Sequence, residues 1–296
     1  MDEPRGQQTI LNEAAFSGIG IHTGRCVSLK FCPAPENTGV VFKRMDLPSE
    51  PVIPATVEYV VDTERSTTLG LHDVRIHTVE HVLAAVRALG IDNLIIELTN
   101  IEPPAANGGS DIFVDLLEQA KIVPQKAEAK IVSLKYPVFV SHGDIHLVAL
   151  PYKGFKISYT LSYTKSQALH SQYGSFEINP EIFKREIAPC RTFALYEEVS
   201  HLMDLGLIKG GSLDNAVIIK EDVIFSKGGL AFQDEMVRHK ILDLVGDLSL
   251  VGFPFEAHIV AIRSGHSSNC ALAKKILNSI TMENTRDVSE CFSFKC

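Results

Sequence analysis

The spacing of apolar residues predicts a helix whose buried side also carries charged groups. Apolar side chains recur at helical intervals over residues 237–248: Val237, Ile241, Leu244, Val245 and Leu248. His239, Asp243 and Asp247 follow one another at intervals of four residues, so they form a polar stripe on the same helix. Burial of such groups without partners is unfavourable. The stripe is therefore expected either to bind a divalent metal ion, as imidazole and carboxylate bind zinc, or to line a solvated cleft.

A second amphipathic helix is predicted from Thr78 to Leu89. Its apolar face consists of Val79, Leu83, Val86 and Leu89. We expect Thr78 to be the N-cap and Gly90 to end the helix. Glu80 and His81 fall in the first turn. A carboxylate is favoured there by the helix dipole, so a structural role alone would also explain Glu80.

The remaining pattern alternates short strands, helices and loops. Strands are expected over residues 27–31, 40–42, 94–98, 137–140, 145–150, 156–161, 216–219 and 258–262. Further helices are expected over residues 112–120, 182–187, 197–205 and 271–280. The glycine-rich segment 17–24 favours a hairpin over a phosphate-binding loop, because no helical pattern follows it. The polar segment 121–131 is the best candidate for a linker.

The two halves of the chain share an order of elements: strands, a helix with a polar stripe that begins at a histidine, and another strand. His81 and His239 occupy comparable places in this order. The pattern predicts an α+β protein of two similar domains, residues 1–125 and 126–296. Each domain would have a mainly antiparallel sheet with helices, and the helices would pack between the two sheets. A site is expected at the seam between the halves.

Composition excludes several classes of protein. A net charge of −8 and a pI near 5.8 argue against a nucleic-acid partner, which would require basic patches. No apolar stretch approaches the length of a transmembrane helix, and the first residues have no secretory-signal pattern. Six cysteines occur without a C-x-x-C pair. Cys291 and Cys296 could form a disulfide, but a single pair in the tail is more often two free thiols, which is what we expect. A reducing cytoplasm fits this usage best.

Residues from both halves could together form a catalytic metal site. A hydrolytic zinc site needs three protein ligands and one open position, and His81, His239 and Asp243 would supply two imidazoles and a carboxylate. Glu80, next to a ligand, could accept a proton from a water molecule. His266 lies in a polar segment after a strand, where catalytic groups are often presented, although a lone histidine there is more often simply exposed. The pattern predicts a metal-assisted hydrolase, without the H-E-x-x-H motif of peptidases.

Several separate motifs resemble those of the UDP-3-O-acyl-N-acetylglucosamine deacetylases. They are Thr78-Val79-Glu80-His81, Gly90-Ile91-Asp92-Asn93, Arg191-Thr192-Phe193, Lys209-Gly210-Gly211-Ser212, residues 237–247 and Ser264-Gly265-His266. The resemblance runs from about residue 8 to 280 in one order. It implies a cytoplasmic zinc amidohydrolase that removes acetate from an acylated UDP-N-acetylglucosamine. That reaction is the committed step of lipid A synthesis.

The resemblance also implies roles for individual residues. The zinc ligands would be His81, His239 and Asp243. Glu80 would be the general base, and a cationic His266 would protonate the leaving amine. Asp247 would keep His266 charged, and Thr192 would donate a hydrogen bond to the oxyanion. Iron(II) suits the same ligands as zinc.

Substrate contacts are implied in the same way. Phe193 and Lys240 would contact the sugar and the pyrophosphate, and Tyr163 would lie under the uracil, although a tyrosine in a strand usually just packs. The acyl chain would run along an apolar passage formed by residues 195–213, a region that could equally be an ordinary amphipathic helix and core. After a proline-rich loop the family commonly has Asp-Gly-Ser-Ala, where this chain has Asn107-Gly108-Gly109-Ser110. Because an amide replaces the carboxylate, no catalytic role is expected for this Asn107 loop.

Two other functions remain open at this stage. One is a different zinc amidase or deacetylase, which the substrate would distinguish. The other is a metal-free module that binds a nucleotide sugar, which the metal content would distinguish. We expect a monomer without a transmembrane segment in each case.

Overall fold

The computed structural model describes residues 5–163, 166 and 168–292, with side chains to residue 281. The expected free thiols Cys291 and Cys296 lie outside the described side chains. The first half contains β1 (Gly6–Ile10), β2 (Ala14–Ile19), β3 (Cys26–Pro33), β4 (Val40–Arg44), β5 (Val52–Pro54), a 3₁₀ turn (Val57–Tyr59), β6 (Val60–Asp62), β7 (Thr68–Leu71), β8 (Val74–Ile76), α1 (Glu80–Ala88), β9 (Leu94–Leu98), α2 (Asp111–Gln119) and β10 (Ile122–Glu128).

The second half has a matching series of elements. It contains β11 (Val132–Ser133), β12 (Val138–His142), β13 (Ile145–Leu150), β14 (Phe155–Ser162), β15 (Ser171–Glu177), α3 (Pro180–Ile182), a π-helical turn (Phe183–Ile187), β16 (Phe193–Leu195), α4 (Tyr196–Asp204), β17 (Val217–Lys220), β18 (Val223–Phe225), α5 (Glu235–Ser249), β19 (Phe255–Ile262) and α6 (His266–Phe292). Within the described residues, no helix combines the length and the apolar character needed to cross a membrane.

The main sheets of the two halves have the same topology. The first has the strand order β2-β3-β9-β4-β5, and the second has the order β12-β13-β19-β14-β15, with β11 also paired to β19. In each five-strand path a single pair is parallel, β4 with β9 and β14 with β19, and the other neighbours are antiparallel. The prediction of a repeated α+β unit with mainly antiparallel sheets is therefore confirmed.

Each half contains a small three-stranded sheet at the same point of the chain. It lies between the last strand in the order of the main sheet (β5 or β15) and the following central helix (α1 or α5). In the first half this sheet is β6-β7-β8, and in the second it is β16-β17-β18, to which α4 is added. Because the insertions precede equivalent helices, both lie close to the N-terminal ends of those helices. The insertions thus lie beside the seam at which the site was predicted.

The helices pack between the two sheets, as the sequence predicts. The central contact is between α1 and α5, while α5 also packs on β14 and β15, and α6 packs on β12 and β13. Gly246 lies where the two central helices meet, and a Cβ atom there would overlap the backbone carbonyl oxygen of Glu80. Glycine at this position therefore allows the helix of one half to approach the helix of the other closely.

Three local predictions are wrong. Thr78 is not an N-cap: it has a left-handed backbone (φ 54°), and its hydroxyl donates to Glu102 Oε1 at 3.0 Å, so α1 begins at Glu80. The candidate linker is largely strand β10, which pairs with β1. β10 resembles a polar connection because none of its residues is fully buried, and half-buried and exposed residues alternate over most of its length. His266 does not lie in a loop, because it is the first residue of α6.

Other local predictions agree with the structure. The segment 17–24 forms the end of β2 and the turn to β3, and these strands pair as an antiparallel hairpin. Gly90 follows α1 with a positive φ of 69°, a conformation that suits glycine at the end of a helix. The division into domains at residues 125 and 126 stays a prediction.

Candidate metal centre and catalytic site

The structure brings together the three side chains that were predicted to bind a metal. His81 is in the first turn of α1, while His239 and Asp243 lie one turn apart on α5. Asp243 Oδ1 is 3.5 Å from Nε2 of His81 and 3.3 Å from Nε2 of His239. One ligand atom from each residue lies within 4.8 Å of the others, and all three residues are buried. Side chains from both halves therefore converge on one point at the seam.

The hydrogen bonds of these residues leave the correct atoms free for a cation. The backbone carbonyl of Cys190 is 3.0 Å from His239 Nδ1, so Nδ1 donates and Nε2 keeps its lone pair. Burial lowers the pKa of His239 to about 4, which keeps the ring neutral. Among the described residues, the buried Oδ1 atom of Asp243 has no hydrogen-bond partner. An unpartnered buried carboxylate oxygen beside two imidazole nitrogens fits a divalent cation.

Lys240 neutralises the other side of Asp243. Its Nζ atom donates to Asp243 Oδ2 at 2.6 Å. Although burial opposes ionisation of Asp243, the ammonium group of Lys240 holds the pKa of its carboxyl well below the usual range. Burial likewise opposes the charge of Lys240, and Asp243 more than compensates by raising the pKa of the ammonium group. Asp243 is therefore ionised, as a carboxyl group must be in order to bind a metal ion.

Glu80 lies beside the cluster at the start of α1 and is almost completely buried. Its Oε2 atom accepts a hydrogen bond from the backbone N–H of Thr67 at 3.0 Å, which orients the carboxylate. Its Oε1 atom lies 3.9 Å from Nε2 of His266. Burial raises the pKa of Glu80, partly offset by the positive charge of His266. A carboxylate with a raised pKa is a stronger base than one in water.

Asp247 lies behind His266 and holds its imidazole in place. Asp247 Oδ2 is 2.9 Å from His266 Nδ1 and accepts a second hydrogen bond from Asn269 at 2.9 Å. Burial opposes the charge of His266, but Asp247 and Glu80 outweigh it and raise the pKa of the ring to about 9. His266 is thus a cation at neutral pH, and its Nε2–H points towards Glu80 and the cavity.

Thr67 connects the two acidic residues and was not identified from the sequence. Its backbone N–H donates to Glu80, and its hydroxyl donates to Asp247 Oδ1 at 2.5 Å. Thr67 precedes β7 in the inserted sheet of the first half, whereas Asp247 belongs to α5 of the second. No periodic pattern marks such a residue, because its partners are set by the packing of distant elements.

A cavity of about 410 Å³ opens from this cluster, and nearly all predicted site residues line it. The residues in question are Glu80, His81, Tyr163, Thr192, Phe193, His239, Lys240, Asp243 and His266. The ring of Phe193 lies edge-on to His239, with centroids 6.4 Å apart, and Tyr163 packs edge-on to Phe193 at 6.1 Å. Asp247 is absent from the wall because it is covered by His266. The structure thus places every predicted residue in the cavity or directly behind it.

Part of the cavity wall is apolar. Its wall includes Leu195, Val199, Leu202, Met203, Ile208 and Leu213, which come from the segment expected to form an apolar passage. Leu205 and Leu207 of that segment are not in this wall: Leu205 is exposed at the end of α4, and Leu207 lines a separate small cavity. Helical periodicity groups these leucines together, but α4 ends at Asp204, so the residues that follow point elsewhere.

The cavity is also lined by polar side chains that were not identified from the sequence as site residues, among them Arg65 and His22. Arg65 pairs with Glu198 at 2.7 Å, which joins the first half to α4 of the second. His22 has a buried Nδ1 atom without a hydrogen-bond partner among the described residues, and burial lowers the pKa of its ring. Neither residue belongs to a local pattern that would have singled it out.

The Asn107 loop contacts the backbone of the helix that carries His81. The hydroxyl of Ser110 donates to the backbone carbonyl of His81 at 2.7 Å. A Cβ atom on Gly108 would overlap the carbonyl oxygen of Asn215, so this loop touches the second half directly. The side chain of Asn107 donates to Asp111 at 2.9 Å, within its own half. These contacts join the loop to α1 and to the second half of the chain, and the expectation that the loop has no catalytic role stays a prediction.

The family model that matches the chain and the similar proteins all name the same deacetylase. The family model for UDP-3-O-acyl N-acetylglycosamine deacetylase matches residues 7–278. A UDP-3-O-acyl-N-acetylglucosamine deacetylase from Chlamydia pneumoniae is 51% identical over 279 residues, which cover 94% of this chain and 99% of the relative. Deacetylases of the same name are 52% identical in Chlamydia caviae, over 92% of this chain and 97% of the relative, and 49% identical in Chlamydia trachomatis serovar L2, over 94% and 97%.

Proposed function

Since the chain belongs to the UDP-3-O-acyl N-acetylglycosamine deacetylase family, we propose that it hydrolyses the 2-acetamido group of UDP-3-O-acyl-N-acetylglucosamine. The products are acetate and the free 2-amine, and the reaction is the committed step of lipid A synthesis. The observation that carries this proposal is the single cavity in which a buried His-His-Asp cluster faces Glu80 and the cationic His266. It combines a metal site with one base and one acid.

His81, His239 and Asp243 bind a zinc ion in this proposal. Two imidazoles and one carboxylate are a usual ligand set for a catalytic zinc site with an open position, and iron(II) suits the same donors. When bound, the ion supplies Lewis-acid chemistry: it polarises the amide carbonyl and lowers the pKa of a water molecule. The free lone pair of His239 and the unpartnered oxygen of Asp243 support this assignment.

Glu80 acts as the general base. As water adds to the acetamido carbon, the Glu80 carboxylate takes up its proton. The backbone N–H of Thr67 keeps one oxygen of Glu80 occupied, so the oxygen nearer to His266 is the one available to the reaction. The raised pKa of Glu80 improves its proton affinity.

His266 acts as the general acid. The amine cannot leave as an anion, so the nitrogen must gain a proton as the C–N bond breaks. Asp247 keeps His266 protonated and oriented, with Nδ1 bound and Nε2 directed into the cavity. The positive ring also stabilises the negative charge that develops on the carbonyl oxygen, to which Thr192 would donate a hydrogen bond.

The cavity wall supplies the substrate contacts. Phe193 and Lys240 would contact the sugar and the pyrophosphate, and Tyr163 would pack under the uracil. The apolar wall contributed by residues 195–213 would hold the 3-O-acyl chain. The position of all these residues around one cavity supports the assignment.

We further infer a cytoplasmic monomer that binds no nucleic acid. Four cysteines, Cys26, Cys32, Cys190 and Cys270, are free thiols, which is usual in a reducing compartment. The net charge of −8 disfavours a polyanionic partner.

The deciding experiment measures acetate release from the acylated UDP-sugar before and after removal of metal by a chelator. We expect release by the purified protein, loss after chelation and recovery on addition of zinc. Release from acetylated peptides instead would indicate a different amidase. Binding of the UDP-sugar without metal or turnover would indicate a metal-free binding module.

A further inference from the structure

A second cavity of about 350 Å³ lies at the opposite end of the central helix pair. Its wall includes Arg87 from the last turn of α1 and Ser249 from the end of α5. Arg87 is seven residues beyond Glu80, which corresponds to about 10 Å along the helix axis. The cavity is therefore separate from the one that holds the metal cluster, although the same two helices contribute to both.

Arg87 is placed to bind an anion from this cavity. Its guanidinium lies against the rings of Phe155 and Phe255, at 5.1 and 5.2 Å from their centroids. A single hydrogen bond from Nη2 reaches the carbonyl of Phe255 at 3.0 Å. Among the residues described with side chains, no carboxylate pairs with Arg87. The remaining N–H donors are thus held in a fixed orientation without an acidic partner.

The other charges around the cavity leave it positive. Lys130 also lines the wall, and its Nζ atom lies 5.4 Å from the centroid of the Phe253 ring. Asp92 is the acidic residue in the wall, but Arg5 donates to both of its oxygens, at 2.8 and 2.9 Å. The backbone N–H of Gln8 donates to Asp92 as well. Asp92 is therefore neutralised, while Arg87 and Lys130 have no carboxylate partner among the residues described with side chains, in a protein whose net charge is −8.

We propose that this cavity binds a small phosphorylated metabolite, with its phosphoryl group on Arg87 and Lys130. A planar guanidinium binds two phosphoryl oxygens at once, and a nearby ammonium group adds a second charge. The volume is at the lower end of the range for ligand cavities, about 300–1,000 Å³, which suits a molecule no larger than a sugar phosphate. Burial lowers the pKa of Arg87 to about 10, so it stays charged at neutral pH.

The test is a calorimetric titration of the full, metal-loaded chain with inorganic phosphate. We expect Arg87→Met to weaken phosphate binding at least about tenfold, because it removes the charged hydrogen bonds and keeps most of the side-chain volume. Lys130→Met should weaken the same binding by a smaller factor. It changes an exposed side chain, so it tests the proposal even if Arg87→Met fails to fold.

Lys240→Met is the matched control for phosphate bound in the catalytic cavity. Binding that survives Lys240→Met and is lost in Arg87→Met supports the second site. The proposal is overturned if the unmodified chain binds no phosphate, or if Lys130→Met, together with Arg87→Met where that variant folds, binds phosphate like the unmodified chain. It is also overturned if Arg87→Met lowers the unfolding temperature but leaves the affinity for phosphate unchanged. Arg87 would then stabilise the contact between α1 and β19 without binding a ligand.

Discussion

At the residue scale, the site depends on which atom of each polar side chain is already engaged. Nδ1 of His239 donates a hydrogen bond to the backbone carbonyl of Cys190, and Oδ2 of Asp243 accepts one from the ammonium group of Lys240. Oε2 of Glu80 accepts one from the backbone N–H of Thr67. Each of these contacts leaves the other polar atom of the residue turned towards the cluster. The i, i+4 stripe on α5 could be predicted from the sequence because it is local. The contacts from Cys190 and Thr67 could not, because these residues lie 49 and 13 positions from their partners along the chain.

The role of Glu80 can be separated from metal binding by Glu80→Gln. The amide keeps the size of the side chain but cannot take up a proton at neutral pH. We expect kcat to fall by about 10²–10⁴, the usual contribution of a general base. Metal content, measured by mass spectrometry, should stay close to that of the unmodified protein, since Glu80 is not one of the three converging ligands. Near-full turnover in Glu80→Gln would show that another group is the base.

The pKa of His266 predicts the basic limb of the pH–rate profile. Asp247 and Glu80 raise this pKa from 6.5 to about 9 against the effect of burial. The ring is therefore protonated at neutral pH and loses its proton as the pH rises through about 9. We expect kcat to fall over that range, because the leaving amine then lacks its acid.

His266→Gln provides the comparison, since glutamine cannot protonate the amine. Its residual activity should lack the fall near pH 9. A basic limb that persists unchanged in this variant would assign the limb to a different group.

At the scale of elements, α1 and α5 bring the ligands together because their backbones approach closely. The sequence predicted both helices and their polar stripes, since these follow from periodicity. It did not predict where α1 begins, because Thr78 adopts a left-handed conformation and bonds to Glu102 instead of capping the helix. Nor did it identify β10, because the strand with which β10 pairs, β1, lies at the other end of the first half of the chain.

Gly246→Ala tests the close approach of the two helices. The added Cβ atom would overlap the carbonyl oxygen of Glu80, and a backbone atom inside a helix has little freedom to move. We expect a loss of at least about 1–3 kcal/mol in the free energy of unfolding, as for other overpacked interiors. Activity should fall too, since Glu80 and His81 move with that backbone.

Gly265→Ala is the matched control for this substitution. A Cβ atom at Gly265 would meet no other atom within 4 Å. Its free energy of unfolding should therefore stay within about 0.5 kcal/mol of the unmodified chain, as for a substitution that meets no packed neighbour. Equal unfolding curves for the two variants would mean that the helices can separate to accept a methyl group at Gly246.

At the scale of the whole molecule, two copies of one α+β unit face each other and share a site. The shared order of strands, helix and strand could be predicted from the hydrophobic pattern, and so could the place of the site at the seam. The motif resemblance added the identity of the substrate, which periodicity does not contain. The second cavity, the Arg65–Glu198 pair and Thr67 could not be predicted, because each arises where elements from both halves meet.

We propose that side chains from both halves hold one metal ion. Anomalous diffraction from crystals of the purified protein, recorded at the zinc absorption edge, tests it most directly. We expect one strong peak at about 2.0–2.2 Å from ligand atoms of His81, His239 and Asp243. A map from zinc-supplemented crystals without a peak at that point, or with a peak that contacts residues of only one half, would contradict it.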